Sequence, residues 1–309
     1  MKLEPANQIR LFSHNEQFEN LKNLYSKKKM PNKILFSGEK GIGKCTLAYH
    51  VINYILSLGE ENSYDDKNLL INSENRSFKL IQNKSSPNFI LIDVSIDKKN
   101  IDIDQIRNLI VSLNKSSFND KPRIVLIDNI ELLNLNSVNA LLKILEEPND
   151  NINFILINNN KKILPTLKSR CLDFKIQLNF KQSIDTINKI LNNNIYDLLN
   201  IDLINHYNTP GQLFNLINLQ NQFDLNLKEM NLKDLIFFII KNKHYKKDFI
   251  INELIYSLIE FYLRSKISVD DISLINIKDY FLKKINDTKK FNLDEETLLM
   301  EFEDKVLNG

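Results

Sequence analysis

The order of apolar and polar positions changes character once along the chain. Up to about residue 178, short apolar runs alternate with segments of helical period. The runs KILFS (33–37), FILIDV (89–94), RIVLID (123–128) and NFILI (153–157) are nearly continuous, as in strands buried on both faces. Residues 173–178 read as a fifth strand. Between them, apolar residues recur every three or four positions at Leu47, Val51, Tyr54 and Ile55, and at Ile103, Ile106, Leu109, Ile110 and Leu113. That spacing predicts helices over 46–56 and 103–113. A third helix is predicted over 137–147, stopped by Pro148, and a short one over 164–170 with Pro165 near its start. Residues 59–87 are polar and read as an insertion with one helical turn near 78–81. Beyond 179 the helical period dominates, over 182–191, 195–206, 210–221, 231–241, 248–266, 271–286 and 294–307. The fold class predicted is α/β followed by all-α, a parallel sheet covered by helices and then a helical remainder.

Composition narrows what such a chain does. Its 309 residues suffice for two or three domains with a sizeable core. Hydrophobic residues at 43% and charged residues at 26% are ordinary globular values, which excludes wholesale disorder. The net charge of +2 excludes nucleic-acid binding on bulk charge alone. KNKHYKK (241–247) is a local basic cluster that reads as a solvated helix end. Two cysteines cannot build a disulfide framework, and with four His and no C-x-x-C a zinc cage is not expected. The first residues contain no apolar signal segment, and the longest apolar run, 235–240, falls far short of the roughly 20 residues of a membrane helix. A soluble, cytoplasmic protein with no membrane partner is expected. The abundance of Asn, Ile and Lys reads as codon bias, and it makes the six glycines informative where they cluster.

Three of them, Gly38, Gly41 and Gly43, lie in GEKGIGKC (38–45), between a strand and a helix. This fits G-x-x-x-x-G-K-[ST] at every position but the last. Such a loop turns backbone N–H groups and a helix N-terminus toward phosphates, with Lys44 reaching them. The plain alternative is a glycine turn that binds nothing. Cys45 stands where a hydroxyl should meet Mg²⁺, and a thiol is a poor ligand for that hard ion. Thr46, one position on, points elsewhere on the helix. Asp128 ends an apolar strand, as a Mg²⁺-holding Asp does in phosphate-loop ATPases, but Asn129 follows where an activating Glu is usual. Glu131 lies two residues further, past the strand end. In LPTLKSRC (164–171), Arg170 follows a short helix; an isolated Arg is usually a solvated surface residue, and Cys171 alone reads as a small buried hydrophobe.

NALLKILEEP (139–148) and LPTLKSRC (164–171), after the glycine loop and the 124–128 strand, together resemble the AAA+ clamp-loader family. The triplet Ser169-Arg170-Cys171 matches its SRC motif. The resemblance spans essentially the whole chain. It implies an AAA+ P-loop domain at 1–178, a helical lid at 179–222 and a helical collar at 223–309. Within the family, GIGK-x-TLAYH and Thr209-Pro210-Gly211 lean toward the delta-prime, or stator, type. That implies a subunit with little or no ATPase and no polymerase activity of its own. It implies partners: gamma/tau motor subunits and a delta subunit in a five-membered ring, with a sliding clamp and primed DNA reached through the complex. Gly38, Gly41, Gly43, Lys44, Cys45, Thr46 and Asp128 then form a degenerate nucleotide site, with Asn158 as sensor 1. Arg170 is an arginine finger lent to a neighbour. No cofactor is required on this reading, although a vestigial ATP or ADP with Mg²⁺ is compatible with it. The four-cysteine zinc module common in such subunits is missing from 59–87, so no zinc is expected. Gln212 occupies the place of the sensor 2 Arg. The alternatives are an active motor ATPase, supported by Lys44, Asp128 and the complete glycine loop, and an unrelated P-loop kinase or nucleic-acid binder.

Overall fold

The five predicted strands form one sheet whose central strands are buried on both faces and whose two edge strands are partly exposed. The computed structural model describes residues 3–95, 98, 100–115, 119–146, 151–265, 272–291 and 293–308. The chain begins with α1 (Asn15–Ser26), followed by β1 (Lys33–Ser37), α2 (Lys44–Ser57) and α3 (Arg76–Gln82). Then come β2 (Phe89–Ile92), α4 (Ile103–Leu113), β3 (Arg123–Ile127), α5 (Leu135–Glu146), β4 (Ile152–Asn158), α6 (Pro165–Lys168) and β5 (Leu172–Lys175). The strand order is β2-β3-β4-β1-β5, and every neighbouring pair is parallel.

Every residue of β3 and β4 is buried. Successive side chains of a strand point to opposite faces, and the core divides accordingly. Ile34, Phe36, Ile124, Leu126, Ile155 and Ile157 pack with α1 and α2 through Phe18, Leu21, Leu47, Val51 and Ile55. Leu35, Val125, Ile127, Phe154 and Leu156 pack with α4 and α5 through Ile106, Leu109, Leu141 and Leu145. The chain leaves β1 for one face and leaves β3 for the other. The C-terminal ends of the central strands therefore open into the crevice where ligands bind in such sheets.

The structure corrects several sequence expectations. Helix α1 was not predicted: NEQFENLKNLYS is polar overall and buries only Phe18 and Leu21. Within 59–87 the single turn becomes the seven-residue α3, because the Asn75 side chain accepts the Phe78 N–H. That segment is tied down by polar pairs. Tyr64 Oη meets His50 Nδ1 at 2.8 Å, and Glu60 accepts from Ser77 and Lys121. Strand β2 stops two residues short, at Ile92, and releases Asp93 from the ladder. Pro148 and the end of the predicted 137–147 helix lie outside the described residues.

The chain forms two compact units, Met1–Thr186 and Ile187–Gly309. The described residues of the second are helical: α7 (Phe180–Leu191) carries the chain into it, followed by α8 (Ile195–Leu198), α9 (Pro210–Phe223), α10 (Leu232–Lys241), α11 (Phe249–Ser265), α12 (Ile272–Phe291) and α13 (Glu295–Phe302). Its core includes Leu213, Leu235, Ile239, Ile255, Phe281 and Phe302. The helix predicted over 195–206 is broken. Leu199 is extended, and Asn200 caps a separate turn by accepting from Asp202 N. Asn caps of this kind compete with helix propagation. No described helix is long and apolar enough to cross a membrane.

Candidate functional site

Gly38 to Gly43 join the end of β1 to α2, and the backbone there needs glycine for two physical reasons. Gly41 and Gly43 are left-handed, at φ 85° and 93°, with Gly43 capping α2. At Gly38 the constraint is space: a Cβ would lie 2.1 Å from the Ile176 carbonyl oxygen. The loop is also clamped from outside by His14. Its buried ring donates through Nε2 to the Ile42 carbonyl at 2.6 Å, and burial lowers its pKa.

Lys44 folds back over this loop. Its Nζ donates to Gly38 O at 2.9 Å, Glu39 O at 2.6 Å and Asn159 Oδ1 at 3.0 Å. An ammonium has three donors, so all are satisfied within the chain. Burial pulls the Lys44 pKa down to about 8, against the opposing pull of Asp128, Glu131 and Glu39.

Asp128 follows β3 directly, and burial pushes its pKa up to about 6, assisted by Asp93 and opposed by Cys45, the Asn129 N–H and Lys44. Cys45 lies beside this carboxylate, and burial followed by Asp128 raises its thiol well above the usual range. Thr46 is half-buried in the first turn of α2. Asn129 is left-handed at φ 55°, a conformation that Asn accepts more readily than Glu does. Its amide donates to Asp93 Oδ1 at 2.8 Å and accepts from Asn159 Nδ2 at 2.7 Å. Glu131 is also committed, accepting from both the side chain and the backbone N–H of Asn159.

Sequence reasoning placed sensor 1 at Asn158. Its amide instead closes the turn after β4, exchanging bonds with the backbone of Lys161. Asn159 is the residue that reaches Lys44. Periodicity could not choose among Asn158, Asn159 and Asn160, since the strand ends there. Asp93 was also missed, though a signal existed. FILID (89–93) and IVLID (124–128) end alike, and their register pairs Ile92 with Ile127, so the two acids end adjacent strands.

Two further residues lie outside this cluster. Arg170 follows α6 and is partly exposed. Its Nη1 donates to Thr166 O at 2.6 Å, and its Nη2 forms an ion pair with Glu146 at the end of α5. Its neighbour Cys171 packs against the α4–α5 side of the core, and burial pushes its thiol up to about 11. In the second unit, Gln212 is used by its own helix. It accepts from Thr209 N and donates its backbone N–H to Thr209 Oγ1, a capping box.

The residues present do not fit a magnesium nucleotide. The ligand position is a thiol, a soft donor where magnesium needs a hard oxygen. Among the described residues, no group of three or more His, Cys, Asp or Glu is placed to hold a metal ion.

The family described as DNA polymerase III, delta subunit, matches residues 13–180. The chain is 29% identical to DNA polymerase III subunit delta' of Buchnera aphidicola subsp. Schizaphis graminum, over 85% of this chain and 81% of that one. It is 28% identical to the gamma subunit of the same organism, over 69% of this chain and 58% of that one. A solved DNA polymerase III gamma subunit-related protein of Thermotoga maritima aligns with a TM-score of 0.45 at 17% identity, covering 92% of this chain and 96% of that one.

Proposed function

Because this chain belongs to the DNA polymerase III delta-subunit family, within the clamp loaders, we propose that it is a delta-prime-type stator subunit. On this reading it joins gamma/tau motor subunits and a delta subunit in a five-membered ring, through a collar at 223–309 that follows a lid at 179–222. It lends Arg170 to ATP held by a neighbouring motor subunit, and the ring loads a sliding clamp onto primed DNA in the cytoplasm. Its own glycine loop is retained as structure and needs no nucleotide, magnesium or zinc.

The observation that carries this reading is the Cys45–Asp128 pair. In a working ATPase the first group is a hydroxyl on Mg²⁺ and the second a carboxylate on the same ion. Here Cys45 puts a soft thiol in the hydroxyl's place, beside Asp128. Asn129 cannot accept a proton at neutral pH, and its amide is engaged with Asp93 and Asn159. The motor-ATPase reading draws on Lys44, Asp128 and the complete glycine loop. Lys44 here donates to Asn159 and to two loop carbonyls, and Glu131 accepts from Asn159.

The test is reconstitution by omission. Motor and delta subunits are assembled with and without this chain, and clamp loading on primed DNA is followed. Loading is expected to require the chain. Equal loading without it would remove it from the complex.

A further inference from the structure

Arg170 is held within its own chain by Glu146, and this pair has a feature that helix stability does not explain. Glu146 occupies the last described turn of α5, where the helix dipole disfavours an acid. Lys143 shares that turn, yet the ion pair that Glu146 makes is with Arg170, whose Nη1 is fixed to Thr166 O. Lys168, two residues before Arg170, is paired with Asp173 at 3.2 Å. Both pair members retain solvent contact, with side-chain exposures of 31% for Arg170 and 56% for Glu146.

We propose that Glu146 is an intrachain latch that holds the Arg170 guanidinium in reserve until a phosphate on a neighbouring subunit displaces it; this rests on the arginine-finger reading above. The physical basis is competition for one planar fork. Glu146 holds one arm of it, Nη2, and Thr166 O the other, so a phosphate that takes the fork two-handed displaces Glu146. The carboxylate bears one charge and is open to water. An exposed pair of that kind biases a two-state population by roughly two- to fivefold. A terminal phosphate carries more charge and outcompetes it. Glu146 is thus a positioning residue: it sets how readily the finger is released and takes no part in bond cleavage.

The experiment uses the reconstituted loader carrying Glu146→Gln, Glu146→Asp, Arg170→Ala or the double change Glu146→Gln with Arg170→Ala. The ATP dependence of DNA-stimulated hydrolysis is measured at low and high salt. Glu146→Gln is expected to lower the ATP concentration for half-maximal turnover by roughly two- to fivefold, since exposed pairs are worth that much. Glu146→Asp is expected to stay nearer the wild type, and the difference is expected to shrink at high salt. In the Arg170→Ala background Glu146→Gln is expected to do nothing. An unchanged ATP dependence, a loss of turnover like that of Arg170→Ala, or an effect that persists without Arg170 each overturns the latch. If Arg170→Ala itself leaves turnover intact, the finger reading fails and the latch falls with it. Melting curves of the isolated variants separate these outcomes from misfolding.

Discussion

Replacing Arg170 by Ala in the reconstituted complex is expected to slow hydrolysis at the neighbouring motor site by about 10³-fold, the low end of what a transition-state arginine contributes. The chain itself is expected to fold normally, because Arg170 is partly exposed and its bonds are to a helix carbonyl and a surface carboxylate. Arg170→Lys is expected to rescue little. A lysine presents a point charge where the guanidinium presents a planar pair of donors. Single-turnover hydrolysis with the other subunits unaltered isolates the site. A loss smaller than about threefold would place Arg170 outside the reaction, since removing a charge stabiliser costs far more.

Gly38→Ala is expected to be the most damaging single methyl group in the first unit. The added Cβ would lie 2.1 Å from the Ile176 carbonyl oxygen and 2.9 Å from Ile42 Cδ1. The isoleucine side chain can swing away, but the carbonyl cannot: Ile176 N donates to Ser37 O at 2.8 Å, extending the β1–β5 pairing. Relief means prying β5 from β1, at a cost of about 3 kcal/mol or more, the upper range of overpacking. For a unit of this size that lowers melting by roughly 6–12 °C. Gly59→Ala is the control, with nothing within 4 Å and only a φ of 79° to strain it; it is expected to cost about 1 kcal/mol. Equal melting of the two variants would refute the packing role.

The strands were legible because burial on both faces leaves continuous apolar runs, and β3 and β4 matched theirs within one or two residues at each end. Helix α1 was not legible, since two buried residues among twelve give almost no period. The departures from the motif at Cys45 and Asn129 were visible as single letters. What those letters do instead was not. The nearness of Cys45 to Asp128, the left-handed turn at Asn129 and the reach of Asn159 to Lys44 depend on strand ends meeting in space. Glu146 was hidden for the same reason: 24 residues separate it from Arg170, and only the α5–α6 packing brings them together.

A stator of this kind serves ATP hydrolysis without performing it. The most direct test is Mg²⁺-dependent ATP turnover by the purified chain beside its Lys44→Ala variant. No turnover above the variant is expected. Clear turnover by the wild-type chain that is lost in Lys44→Ala would mean that Cys45 and Asn129 are tolerated by a working centre, and would make the protein a motor subunit.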